Sequence, residues 1–381
     1  MSYLTTQTTP PMSQSLYKST LEFLKKHSKL RVEGNHLRRL QVLSSCISSC
    51  IRTGKSSYEG LSDSELPTDK AIETRIAQTK RWLSSKWTDW ESFFAPYMRP
   101  ILRQLVYGGE LILIMDGSEM ASGCVTLMLS VVWRGFAIPL VWLTKEGKKG
   151  HFTEALHVKL LKLAQTLLPP ISEHPYRVVL LGDGEFDGEQ LRTTCKEAKW
   201  EFVLRTSVDR QIDCGNGEIA RMDSLEPLEG EEIVFVPDAC QGDNAVWWHA
   251  KGFDEPIPLL TNMDLGAMAC AYYKKRFKIE TLFKQLKSQG FNIHKSKIQG
   301  ETRVANLIII VAFAFIFTTC AGFMMKLLKK EQLRLFIRHD RVHSMLPVTI
   351  VQKCLKSQYL IATDIFSNLS NNLLILFKND S

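Results

Sequence analysis

Tyr273, Arg276, Glu280 and Lys287 stand in the run Tyr273-Lys-Lys-Arg-Phe-Lys-Ile-Glu-Thr-Leu-Phe-Lys-Gln-Leu-Lys287, and together they offer a phenol, a guanidinium, a carboxylate and an ammonium. On an α-helix at about 100° per residue they point to about 0°, 300°, 340° and 320°, so they share one narrow stripe. Ile279, Leu282, Phe283 and Leu286 fall at about 180° to 280°, an apolar stripe that can dock the helix on a core. One acid framed by two cations and a phenol suits a site where the acid holds a metal ion and its neighbours hold phosphate oxygens. A solvated, Lys-rich helix face would have the same composition, and the stripe alone leaves both readings open.

Two acids upstream bear on that choice. Glu110-Leu-Ile-Leu-Ile-Met-Asp116 and Arg177-Val-Val-Leu-Leu-Gly-Asp183 are short apolar runs, each read as a strand ending in an acid. Carboxylates at the ends of adjacent strands can meet on one edge of a sheet. Glu280 would then arrive on a helix packed against that sheet. Three converging carboxylates repel one another unless cations neutralise them. Mg²⁺ does so through carboxylates, water and substrate phosphates. Two such ions about 3.5–4 Å apart can activate an attacking oxygen and stabilise a leaving one at phosphorus. Glu119 competes with Asp116, and Glu185 and Asp187 compete with Asp183. Asp183 is preferred because it is the first residue past its strand, whereas its rivals lie further into the loop.

The elements around these residues fall into regions. Apolar residues at helical spacing predict helices over Leu16–Leu30, Leu37–Ile51, Thr68–Ser85 and Trp90–Leu105, with a turn and N-cap signal at 61–69. Lys25, Lys26, Arg31, Arg38, Arg39, Arg52, Lys55, Arg75, Lys80 and Arg81 concentrate there. This region reads either as a helix-turn-helix-like DNA-binding region, with Ala71–Leu83 as reader, or as an ordinary amphipathic bundle. Strands over Cys124–Trp133 and Phe136–Thr144 join through Arg134-Gly135, making an antiparallel meander with the Asp116 strand. Helices over Thr153–Leu167 and Gly188–Lys199 alternate with the Asp183 strand and a strand over Trp200–Thr206. Residues 207–264 carry turn signals at Asn216-Gly217, Leu228-Glu-Gly230 and Gly242-Asp243. Strand-like runs lie at Ile233–Pro237, Ala245–Ala250 and Ile257–Thr261, so this span reads as a β-rich insertion. The tail, 331–381, has helical patterning.

With 381 residues the chain can build two or three domains. A net charge of +8 and a pI near 8.9 favour a polyanionic partner mildly. Nine cysteines stand at 46, 50, 124, 195, 214, 240, 270, 320 and 354, without a CxxC pair or zinc-ligand spacing, which reads as reduced thiols of a cytoplasmic protein. Met1–Gln14 lacks the apolar stretch of a signal peptide. The uncharged run Leu307–Met325 is long enough to span a bilayer, and reads as a buried core helix in preference to a membrane helix. Other chemistries lack their motifs. Gly147-Lys-Lys-Gly150 is not a P-loop, Gly117-Ser118 lacks the nucleophile-elbow glycines, and His151 and His157 read as surface residues.

The strand order, with Asp116 on the first strand, Asp183 after the fourth and Glu280 on a late helix, resembles the ribonuclease H-like core of DDE transposases. The stripe matches Tyr-x2-Arg-x3-Glu-x6-Lys, the signature of one bacterial insertion-sequence transposase family, at every spacing. Leu259-Leu-Thr-Asn262 is similar to that family's strand leading into the helix, and the family carries a β-rich insertion where 207–264 stand here. The resemblance covers roughly residues 30 to 325. Gly184-Glu185 departs from it, since relatives often have Arg-Gly after the second Asp. The resemblance implies an α/β chain with a helical DNA-binding region (1–105), a ribonuclease H-like catalytic core (106–206 and 265–330) and a β-rich insertion (207–264), followed by a helical tail. It implies Asp116, Asp183 and Glu280 as ligands of Mg²⁺ or Mn²⁺, two ions in all. Tyr273, Arg276 and Lys287 would grip DNA phosphates, and Trp247 or Trp248 would stack on a displaced base, unless each simply packs the insertion's own core. The implied partners are double-stranded DNA, as inverted repeats and target, and a second copy of the chain. A structure-specific nuclease of the same fold and a non-catalytic DNA-binding remnant are the rival readings, and a membrane-anchored protein is a more distant one.

Overall fold

The structure, a computed structural model, describes residues 12–62, 70–121, 123–147, 152–215, 217–225, 227, 231–249, 254–328, 346–356, 365 and 369–378. Expectations for the 63–69 turn, for 148–150, His151, Asn216 and 228–230, and for most of the tail lie outside these residues. In chain order the helices α1 (Met12–His27), α2 (Gly34–Thr53), α3 (Tyr58–Leu61), α4 (Ile72–Ser84), α5 (Trp90–Phe93) and α6 (Ala95–Leu105) come first. Strands β1 (Glu110–Ala121), β2 (Cys124–Trp133) and β3 (Phe136–Glu146) follow, then α7 (Glu154–Gln165), β4 (Arg177–Gly182), α8 (Glu189–Glu197) and β5 (Glu201–Arg205). Next come β6 (Gln211–Asp213), β7 (Ile219–Arg221), β8 (Ile233–Cys240), β9 (Asp243–Trp248) and β10 (Ile257–Thr261). Helices α9 (Gly266–Tyr273), α10 (Lys278–Lys284), α11 (Glu301–Leu328), α12 (Pro347–Lys356) and α13 (Leu369–Lys378) complete the described elements.

The chain divides into two compact units. Of the described residues one takes 12–97, 120–121 and 284–378, and the other 98–119 and 123–283. The boundary between the units falls after Phe283, at the end of α10.

The second unit is mixed α/β. Eight strands form one sheet in the order β3-β2-β1-β4-β5-β10-β9-β8. β1 pairs with β4, and β4 with β5, in parallel; α7 and α8 make the crossovers that parallel neighbours require. β2 and β3 form a hairpin closed by Arg134 and Gly135, both at positive φ (46° and 77°), the turn whose twist suits two antiparallel strands. Glu154 of α7 accepts the Gln190 and Leu191 N–H groups at 2.6 and 3.2 Å, which caps the open start of α8. Three strands from the 207–264 span, β8 to β10, hydrogen-bond into the large sheet, while β6 and β7 pair apart from it. The Asn262 side chain accepts from Phe202 N–H at 2.8 Å and donates to the Trp200 carbonyl at 3.0 Å, lashing the end of β10 to the start of β5. Buried Arg192 of α8 bonds both Asp243 and Gln241 (2.9 Å to the latter), which ties α8 to the β8–β9 turn.

One expectation needs correction here. Asp116 does not end its strand: β1 runs on to Ala121. β4 leaves β1 after the Ile114–Leu181 pair, but β2 lies along the other side of β1, so one neighbour remains to carry the strand further.

The other unit is helical. Its longest element, α11, packs against α2, α4, α5, α12 and α13. Phe313 and Phe317 interlock edge-on with Tyr97 (5.3 Å), Phe94 (5.0 Å) and Phe23 (5.3 Å). Glu301–Leu327 is long and apolar enough to cross a membrane, and 94% of its most apolar stretch is buried inside the chain. A helix enclosed by others must be apolar all round, which accounts for the composition. Two of its buried polar side chains are satisfied internally: Asn306 donates to the Leu83 carbonyl at 2.9 Å, and Thr318 to that of Ala314 at 2.7 Å. Gly322 is required where α12 begins, since a Cβ there would meet the Pro347 carbonyl oxygen at 2.4 Å.

Candidate active site

The register of the parallel strands brings two acids level. β1 and β4 stay paired as far as Ile114 and Leu181, and Asp116 and Asp183 each lie two residues further on. Parallel strands present their C-terminal ends at one edge, and equal offsets on a pleated pair put both side chains on one face. Asp116 is mostly buried, with 15% of its side chain exposed. Its carboxyl pKa is raised to about 7, chiefly by burial and then by repulsion from Asp183. Arg276 and the Gly117 N–H, 2.7 Å from Oδ1, oppose that rise, and Glu280 adds a smaller repulsion.

The rivals of Asp183 are engaged elsewhere. Glu185 accepts the Phe152 N–H at 2.6 Å and lies 3.8 Å from His157, and its own N–H donates to Asp183 Oδ1 at 3.2 Å. Asp187 pairs with Arg210 and accepts the Thr206 hydroxyl at 2.5 Å. His157 is buried against Phe186, ring centres 4.8 Å apart, and is not the surface residue expected. Its position on the inner side of α7 follows from packing that lone histidine spacing does not reveal. Glu119 is exposed.

The helix carrying the stripe is not a single α-helix. α9 ends at Tyr273, a 3-10 turn takes Lys274–Phe277, α10 takes Lys278–Lys284, and a π turn takes Gln285–Gln289. The two turns wind more tightly and more loosely than an α-helix, so a phase of 100° per residue is lost across them. Even so, Arg276 and Glu280 meet at 2.9 Å, and the same guanidinium reaches Asp116 at 3.7 Å. Arg276 is 9% exposed and rests on the ring of Phe277 at 4.6 Å, whereas Glu280 is 43% exposed. One buried guanidinium therefore joins a carboxylate from β1 to one from α10. Tyr273 is buried, and burial pushes its phenol up to about 12, so it stays a hydroxyl donor at neutral pH. Lys287 sits on the π turn, in the helical unit.

Tyr273, Arg276 and Phe277 also line a pocket of about 340 Å³ together with Arg205, at the end of β5. Arg205 was not singled out from the sequence. Its one signal was a cation closing the apolar run Phe202-Val-Leu204. Asp254 and Glu255 lie on the same pocket.

Trp247 and Trp248, considered for base stacking, are both buried. Trp247 packs in a cluster with Ile212, Met222, Val236, Ala239, Ala245 and Leu260, and Trp248 carries the Lys274 ammonium 5.2 Å over its ring. Either ring would have to leave its packing to meet a base. Trp247→Ala is expected to destabilise the chain by about 3–5 kcal/mol in urea denaturation, the cost of emptying a packed aromatic site. Unchanged stability with slowed DNA cleavage would instead favour the stacking role.

Among the described residues, no group of three His, Cys, Asp or Glu side chains is assembled to hold a metal ion. The donor chemistry nevertheless suits a hard divalent cation. Asp116 and Asp183 offer oxygens only, and their mutual repulsion is what such an ion relieves. Glu280 is held by Arg276 and would have to exchange that partner to join them.

No curated protein matches the chain. The family model described as Transposase DDE domain matches residues 157–317, a span that contains Asp183, Tyr273, Arg276, Glu280 and Lys287 and begins after Asp116. Over those residues the chain is similar to the DDE domain of transposases, which supports a transposase of that type.

Proposed function

We propose that the chain is an insertion-sequence transposase that cleaves DNA strands at the inverted-repeat ends of its element and joins them to target DNA with a divalent metal. The observation that carries the reading is the single guanidinium of Arg276 lying between Asp116 and Glu280, with Asp183 beside Asp116. Four residues from three distant parts of the sequence come together there, beside a mixed sheet whose β3-β2-β1-β4-β5 part fits a ribonuclease H-like core.

Asp116, Asp183 and Glu280 are the residues that would hold Mg²⁺ or Mn²⁺. The bound metal would neutralise their charge and stabilise the attacking and leaving oxygens at phosphorus. Arg276 would trade its carboxylate partners for phosphate oxygens, to which its planar fork is equally suited. Tyr273 would donate its hydroxyl, and Arg205 would add a second guanidinium on the pocket that Tyr273 and Arg276 line. Lys287 is the third proposed phosphate ligand. The helical region at 1–105 would bind the repeats, and a second copy of the chain would handle the second end.

The test uses oligonucleotides bearing inverted repeats found in the DNA flanking the gene, incubated with Mg²⁺ and either wild type or Glu280→Gln. Nicking or end joining by wild type alone is the expected result. Binding without cleavage by either protein would point to a DNA-binding remnant. Equal cleavage by both would remove Glu280 from the site. Cleavage without joining of a pre-cut end would favour the nuclease.

A further inference from the structure

We propose that Phe152 is a positioning residue that holds Asp116 and Asp183 in place for a shared divalent cation, acting through Gly117 on one acid and through Glu185 on the other; the proposal rests on the metal-site reading above. Phe152 lies in the link between β3 and α7 and is 5% exposed. Its ring is packed on Gly117, where an added Cβ would stand 3.1 Å from the ring's Cε2. The Gly117 N–H in turn donates to Asp116 Oδ1 at 2.7 Å. On the other side, the Phe152 N–H donates to Glu185 Oε1 at 2.6 Å, and the Glu185 N–H donates to Asp183 Oδ1 at 3.2 Å. Each acid thus accepts a backbone N–H from a residue that touches Phe152.

The link is itself held. The Lys145 ammonium of β3 lies 4.5 Å from the Phe152 ring centre. On the buried face of α7, His157 stands with Leu160, Leu161 and Ala164, the one polar side chain among them. A residue that only filled space there would be apolar like its neighbours, because a buried imidazole without hydrogen bonds is costly. Neither ring nitrogen of His157 is hydrogen-bonded, and Nε2 lies 3.8 Å from Glu185 Oε1. The same ring meets Phe186, which packs on Gly182, the residue before Asp183; a Cβ there would stand 2.9 Å from that of Phe186. His157 therefore backs Glu185 and Phe186, the two residues that fix the loop carrying Asp183. Such a hold matters because Asp116 and Asp183 repel one another, and two unsupported carboxylates would turn apart and lose the preformed site.

The test is the melting temperature of the full chain at pH about 8 across an MgCl2 series, for wild type, Glu185→Ala, Phe152→Leu and Glu185→Gln. Glu185 is partly exposed and leucine keeps most of the apolar volume at 152, so the variants should fold, and circular dichroism checks this. In Glu185→Ala and Phe152→Leu the Mg²⁺ midpoint of the thermal shift is expected to rise about 10–100-fold, the usual effect of removing the groups that hold metal ligands in place. Glu185→Gln keeps an oxygen for the Phe152 N–H and should stay within about threefold of the wild-type midpoint. A lower metal-free melting temperature with an unchanged midpoint in Glu185→Ala would make these contacts merely structural and overturn the proposal. Equal rises in Glu185→Ala and Glu185→Gln would overturn it too, since the hydrogen bond would then not be what matters. A wild type without any Mg²⁺ shift would overturn the metal-site reading and the proposal with it, so the wild-type curve tells the two failures apart.

Discussion

Asp183→Asn is expected to lower Mg²⁺-dependent strand cleavage by about 10³-fold or more, while Glu185→Gln and Asp187→Asn stay within about tenfold of wild type. All three acids lie within five residues, so the contrast depends on their surroundings. Asp183 leaves β4 level with Asp116 and repels its charge. Glu185 is turned to the Phe152 N–H and faces His157, which makes its carboxylate part of the loop's own framework. Asp187 is paired with Arg210 and Thr206, so Asp187→Asn should cost about 1–3 kcal/mol of stability by leaving a half-buried guanidinium without its counter-charge. The measurement is initial cleavage rate on a repeat-bearing duplex, with urea denaturation in parallel. An inactive Glu185→Gln beside an active Asp183→Asn would reverse the assignment.

The second large effect concerns Asp116 and pH. In the folded chain its pKa is raised to about 7, by burial first and Asp183 second. An unfolded aspartate titrates near about 3.9. Below that pH both states carry the proton and the folded chain is not penalised. As pH rises toward about 7 the unfolded chain releases its proton while the folded chain keeps it, so stability falls across this window. Above it the full penalty applies, at most about 4 kcal/mol for a shift of about three pKa units. Asp116→Asn removes this penalty, in which the opposing attraction of Arg276 at 3.7 Å is already included. Metal-free Asp116→Asn should therefore melt a few degrees above wild type at pH about 8 and together with it at pH about 4. Mg²⁺ should raise the melting temperature of wild type at the higher pH and leave the variant where it is, because only wild type has the crowded charge to neutralise. A variant less stable than wild type at both pH values would show that the Asp116 carboxylate is favourably held, contrary to this account.

The local elements were legible because side-chain pattern and backbone turn chemistry are local quantities. β10 runs over Ile257–Thr261, where an apolar stretch between turn signals placed a strand, and the β2–β3 hairpin turns at Arg134-Gly135, where the glycine takes a positive φ without steric cost. α7 and α8 fall within the periodic stretches read as helices, and α11 stands where the long uncharged run predicted a core helix. Tyr273, Arg276, Glu280 and Lys287 could be picked out as candidates from their types and spacing alone.

Their arrangement could not, because it depends on what lies across the chain. β1 continues past Asp116 because β2 still flanks it, a neighbour that the apolar run of β1 does not encode. The 3-10 and π turns break the helical phase, and no residue between 273 and 289 is a proline or glycine that would have announced the break. Trp247, Trp248 and His157 look alike in sequence whether they face solvent or core, and only packing buries them. The residue types, the individual strands and their acids belong to the sequence; the parallel pairing of β1 with β4 and of β4 with β5 does not. The pairing of Arg276 with both Asp116 and Glu280 belongs to the tertiary structure, because an ion pair between side chains far apart in the chain exists only once the sheet and the helix that carry them have docked.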